Sequence, residues 1–224
     1  MLCISVAQNI FPISMQISSP NNFRASKWLL ADSRGGFSQG CFDLVNRSHY
    51  DALYTCNTTN HLHRHRVVTH ADVRLIDGLD NSVIELSTSI YGSEHFMHPD
   101  GHRYLTNSYY EIVDGELLRR VIYRTSDNLE VTVTVKCRES GVSLSFSLDA
   151  ASLDRYSLEV RPFFSGRMVH ELGYDLDLVP VQVEDRAFTV KNSAFQVRLA
   201  GEGLFSLNGF VSDNFYYPDD AIRG

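Results

Sequence analysis

The sequence predicts an all-β protein, a large antiparallel β-sandwich with few or no long helices. Three observations carry that prediction. Apolar and polar residues alternate with period two over many short runs, turn-forming residues separate those runs, and no stretch sustains three turns of helical periodicity. Period-two alternation buries one face of an extended strand, and strands joined by short turns stack as sheets.

The first 24 residues read as a poorly defined leader. Met1 to Ser19 is mildly apolar, but no Lys or Arg precedes the apolar stretch, which argues against a secretory signal. Gln8, Asn9 and Pro12 interrupt it, and Met15 offers an alternative start. From residue 25 to 211 a single sandwich domain is expected. Trp28 opens an apolar run that ends in the Gly35-Gly36 pair, where the backbone can turn through positive φ or approach a neighbour closely. Arg120–Tyr123, Leu129–Lys136, Val142–Leu148, Tyr156–Arg161 and Phe195–Leu199 alternate in the manner of half-buried strands. Asp114-Gly115, Ser126-Asp127-Asn128, Glu139-Ser140-Gly141, Glu184-Asp185 and Gly201-Glu202-Gly203 supply the turns. Asp149 to Arg155 is the one helical candidate and is short. Residues 212–224 are polar and aromatic and read as an exit segment.

Composition narrows the function. A net charge of −7 lacks the basic excess that phosphate binding requires, so a nucleic-acid partner is not expected. A neutral ligand such as a glycan is compatible with it. No window of about 18 uninterrupted apolar residues occurs, so no membrane partner is expected, and the reading is a cytoplasmic protein. Cys3, Cys41, Cys56 and Cys137 are widely spaced with no CxxC pair, and read as reduced thiols.

Few residues carry a chemical signature. His61, His63 and His65 alternate, with His70 after them, and on a strand the first three would share a face. No cysteine or carboxylate stands at matching spacing, so a polar edge strand or loop is expected there, with no metal site and no cofactor. No GxSxG elbow or phosphate-cradling glycine loop occurs; Ser140-Gly141 and Ser165-Gly166 lack a strand-to-helix context. A glycosidase needs two facing carboxylates. None of the 27 acidic residues stands out, and Glu111, Asp114 and Glu116 read as solvated residues around a turn. No catalytic residue is therefore assigned. Trp28 reads as a core anchor. Two further clusters remain: His98, His102 and Tyr104 around the Pro99-Asp100-Gly101 turn, and Arg161, Arg167 and His170 around a strand end.

These clusters resemble the N-terminal domain of the bacterial and archaeal type of glycogen-debranching enzyme, an amylo-α-1,6-glucosidase. Lys27 to Ser38 reads KWLLADSRGGFS against a family pattern WLltNgrGGya, and Arg47 to Leu53 reads RSHYDAL against RrYHGLL. His98 to Leu105 reads HPDGHRYL, Leu158 to His170 reads LEVRPFFSGRMVH, and Ile222-Arg223-Gly224 stands where the family domain ends. The order His49-Tyr50 inverts the family's Tyr-His, and Asp51 replaces its Gly. The resemblance implies a supersandwich-like domain, with the chemistry of α-1,6 hydrolysis in a following (α/α)6 catalytic barrel. It implies a non-catalytic domain that packs on that barrel and helps shape the cleft for α-glucan, glycogen or branched dextrin. Substrate contacts would come from Arg47, His49, Tyr50, His98, Arg167 and His170. A stand-alone carbohydrate-binding or interaction module and a small complete hydrolase are the alternatives.

Overall fold

The computed structural model describes residues 2–6, 27–41, 46–58, 63–86, 101–149, 154–171, 179–184, 187–191, 196–201 and 220. Two sheets make up almost all of them. The larger has eight strands in the order β12 (Val179–Glu184), β13 (Ala187–Lys191), β14 (Gln196–Gly201), β1 (Leu2–Val6), β10 (Gly141–Ser147), β9 (Glu130–Arg138), β8 (Glu116–Arg124) and β7 (Leu105–Val113). The smaller has the order β11 (Tyr156–Phe164), β5 (Arg64–Asp77), β4 (Ala52–Asn57), β3 (Phe37–Cys41) and β2 (Lys27–Ala31), with β6 (Val83–Glu85) also paired to β5. The expected all-β antiparallel sandwich is the fold observed. One strand departs from the rule: Leu2–Val6, read as part of a leader, forms β1 and runs parallel to both β10 and β14.

The turns work as their residues dictate. Asp114 and Gly115 form the two-residue link between β7 and β8 with φ of 52° and 78°. Two positive φ values give a type I′ turn, whose twist matches that of the strands it joins. Asn128 and Ser140 also adopt positive φ, in the turns that join β8 to β9 and β9 to β10. Asp149 and Asp154–Arg155 are not helical; the residues between them lie outside the described set.

The core lies between the sheets. Trp28, Leu30, Leu53, Val73 and Leu75 of the smaller sheet meet Val121, Tyr123, Val133, Leu144 and Phe146 of the larger. Each fully buried Val, Leu or Phe contributes about 2 kcal/mol by leaving water. Trp28 is the anchor expected of it: 2% exposed, with Nε1 donating to Cys41 O at 2.8 Å. A cavity of about 30 Å³ remains between the sheets, lined by Trp28, Gly40, His70, Tyr123 and Phe146 among others. It could hold water but not a sugar ring, since small-molecule sites measure some hundreds of Å³.

Two expectations are corrected. Glu111 is not solvated: it is 1% exposed and ion-paired through Oε2 to Arg120 Nε, and Arg120 Nη1 in turn donates to Thr134 Oγ1 at 2.7 Å. The histidine-rich segment is not an edge strand or a loop throughout. His65 and His70 lie on β5, which is flanked by β4 and β11, and Arg66 is fully buried. A polar side chain survives at such depth only with partners. His65 Nδ1 meets Gly166 O at 3.1 Å, His70 stacks on Phe163 at 4.4 Å between ring centroids, and Arg66 Nη2 donates to Asp51 O at 2.6 Å.

Candidate functional site

The site is built on the loop that leads into β4. Asp51, with no exposed surface, organises it. Its Oδ2 accepts the backbone N–H of Arg47 at 2.9 Å and of Ser48 at 3.0 Å, and its own N–H donates to Ser48 O at 2.9 Å. Lys27 Nζ approaches both carboxylate oxygens, at 3.1 and 3.2 Å, and Gln39 Nε2 donates to Oδ1 at 3.3 Å. A short acidic side chain that captures nearby backbone donors closes a tight turn, so Asp51 holds residues 47–50 in one shape. The residue that replaces the family's Gly is thus the one on which the loop is built.

The second wall is the stretch after β11. A register shift at Phe163/Phe164 and the positive φ of Gly166 (75°) carry the chain past the end of the strand. It stays tied to β5: Gly166 N donates to Arg66 O, Arg66 N to Arg167 O, and Val169 N to Arg64 O, all within 2.9 Å. Arg167, 8% exposed, points back into the fold. Its Nη2 donates to His49 O at 3.0 Å and its Nη1 to Glu171 O. It therefore clamps two segments that lie 118 residues apart in the chain.

Asp220 completes the cluster from the far end of the chain. Its Oδ2 accepts the His49 backbone N–H at 2.6 Å and lies 2.7 Å from His49 Nδ1, while Oδ1 accepts Ser48 Oγ at 3.1 Å. Burial alone would raise this carboxyl's pKa. The donors from His49 and Ser48 outweigh burial and hold the pKa below its ordinary value.

Four of the six residues proposed from sequence converge here. The His49 and Tyr50 rings lie 3.9 Å apart between centroids, and Tyr50 meets His170 edge-on at 5.8 Å. Arg167 joins them as the clamp. Arg47 lies half-buried at the mouth of the same loop, with its N–H on Asp51. His98 lies outside the described residues. Ser48, Asp51 and Asp220 were not singled out as site residues; of these only Asp51 carried a signal, as a departure from the family pattern.

The chemistry available is polar recognition. Imidazole and phenol rings offer an apolar face and a hydrogen-bonding edge, the combination that suits a sugar's C–H faces and hydroxyls. The carboxylates of Asp51 and Asp220 are already occupied by the donors named above. Among the described residues no three His, Cys, Asp or Glu side chains are placed to hold a metal ion. No curated protein and no solved structure matches the chain. The family model for the N terminus of glycogen debranching enzymes matches residues 26–224, and the chain belongs to that family.

Proposed function

We propose that this chain is the non-catalytic N-terminal domain of a glycogen-debranching glycoside hydrolase, and that residues 47–50 with 167–170 form one wall of its α-glucan cleft. The observation that carries the reading is the convergence of His49, Tyr50 and His170, three rings from two distant segments, on one partly exposed cluster. Tyr50 and His170 would take direct contacts, and Arg167 would brace them through the His49 carbonyl. The engaged state of Asp51 and Asp220 supports a non-catalytic role. Among the described residues it leaves Glu171 as the one exposed carboxylate at the cluster, where glycosidic cleavage needs a pair.

Packing on an (α/α)6 catalytic barrel is supported by a separate feature. Ile112 (61% exposed) and Leu117 (46% exposed) are cross-strand partners near the tip of the β7–β8 hairpin, an apolar pair left in water.

Calorimetric titration with a branched dextrin tests the binding role. The chain is expected to bind without hydrolysing it, and Tyr50→Ala or His170→Ala to weaken binding about 5–10-fold, the worth of one hydrogen bond or ring contact. Turnover by this chain alone, or unchanged affinity in both variants, would overturn the reading.

A further inference from the structure

We propose that Asp220 fixes the neutral His49 ring as the tautomer protonated at Nδ1, so that Nε2 stands as an acceptor for a sugar hydroxyl. Asp220 is then a positioning residue of the glucan-contact site. The inference deepens the function proposed above and rests on it.

The hydrogen-bond inventory decides the tautomer. An ionised carboxylate oxygen can only accept, and Asp220 Oδ2 stands 2.7 Å from His49 Nδ1. The proton in that bond belongs to the ring. A neutral imidazole with Nδ1–H carries its lone pair at Nε2, which can then only accept. The carboxylate is itself held in place. Oδ2 also takes the His49 N–H, and Oδ1 takes the Ser48 hydroxyl, whose oxygen accepts the Tyr50 N–H at 3.3 Å. Asp220 thus grips the backbone and the ring of the same residue, from 171 positions away. On the other side Arg167 fixes the His49 carbonyl.

The ring is oriented but not used up. Among the described residues Nε2 has no hydrogen-bond partner, and the side chain keeps 17% of its surface exposed. Tyr50 packs at 3.9 Å against the ring, so rotation of His49 would cost that contact as well as the bond to Asp220. A fixed acceptor beside an aromatic ring suits a hydroxyl that can only reach it as a donor. The same placement serves poorly for an anion, which has no proton to give. A positioned His held by a carboxylate is a recurrent way to set which nitrogen faces a ligand.

Nitrogen-detected NMR of the histidine side chains in the full 224-residue chain, at about pH 8, reads the tautomer directly. The expected spectrum places the His49 proton on Nδ1. Asp220→Ala removes the acceptor shared by the His49 N–H and Nδ1–H, so nothing obliges the proton to sit there. This variant is expected to lose the Nδ1–H signature and to bind maltoheptaose about tenfold more weakly, with a cooperative thermal transition showing that it folds. Asp220→Asn, whose amide oxygen can still accept from both donors, is expected to keep the signature. A wild-type ring protonated at Nε2 would overturn the proposal while dextrin binding, if present, would leave the glucan reading standing. A changed tautomer with unchanged affinity would also overturn it. An Nδ1–H signature in a chain that binds no glucan would refute the glucan reading and the acceptor role together.

Discussion

Tyr54 donates its hydroxyl to Asp32 Oδ2 at 2.8 Å, and Gly36 lies directly against this bond. A Cβ at position 36 would stand 2.4 Å from the Tyr54 hydroxyl and 2.5 Å from Asp32 Oδ2. Asp32 Oδ1 meanwhile accepts the N–H of Arg34 and of Gly36, both at 2.8 Å. Asp32 thus shapes the Gly-Gly turn while Tyr54, 5% exposed, locks it to β4. Burial first, and the Asp32 carboxylate second, hold the Tyr54 phenol far above its ordinary pKa, so it remains the donor. Gly36→Ala should cost about 2–3 kcal/mol, because a buried ring and a bonded carboxylate cannot both yield. In a Tyr54→Phe background the same change should cost less, since the clashing oxygen is gone. Urea unfolding of the four proteins checks this, and a coupling near zero would contradict the contact.

Asp51 supports a second stability test. Asp51→Ala leaves the N–H groups of Arg47 and Ser48 and the Lys27 ammonium without their shared acceptor. The expected loss is roughly 3 kcal/mol, accompanied by faster amide hydrogen exchange confined to residues 46–51. Exchange at wild-type rates across that loop would show that another contact shapes it.

His70 should impose an acid limb on the stability curve. Burial, and next the Arg66 guanidinium, push its pKa from the ordinary 6.5 down to about 3. Asp72 Oδ1, 3.8 Å from Nε2, is beyond hydrogen-bond reach and does not reverse this. Between those two pH values the unfolded chain takes up a proton that the folded chain refuses. The neutral ring's stability is complete above the unfolded pKa and falls by about 1.4 kcal/mol per pH unit on acidification. From about pH 6.5 to pH 5 the wild type should lose about 2 kcal/mol in urea unfolding. His70→Gln, which takes up no proton, should lose far less over the same interval; an equal loss would assign the limb to other groups.

The Cys56 and Cys137 thiols should be inert in the folded protein. Burial, and then the charge of Asp32, push Cys137 up to about 12, and burial likewise raises Cys56. Thiolate is the reactive form, so iodoacetamide at about pH 8 should label Cys137 at least about a hundredfold more slowly in the native chain than in urea. Peptide-resolved mass spectrometry checks this, and comparable rates in the two states would contradict the burial.

The strands most legible in the sequence are those whose contacts are local. Leu129–Lys136 and Val142–Leu148 alternate cleanly and form β9 and β10, joined through Glu139-Ser140 where the turn residues stand. β5 was obscured because its polar residues are buried: Arg66, Thr69, His70 and Asp72 break the expected contrast between a wet and a dry face. β1 reads as leader because its partners, β10 and β14, lie far along the chain and pair in parallel, which no local pattern records. The candidate site divides in the same way. Residues 47–50 and 167–170 each stood in a recognisable motif. Asp220 sits in a polar tail and draws its role entirely from His49 and Ser48.

The glucan-binding role requires that a glucan meet the His49–Tyr50–His170 cluster. Ring-proton chemical-shift mapping of the full chain, titrated with a branched dextrin, tests this most directly. Saturable shifts are expected at Tyr50, His49 and His170, with the buried rings of His70 and Trp28 unmoved. Saturable shifts centred elsewhere on the sandwich, with these three rings silent, would contradict it.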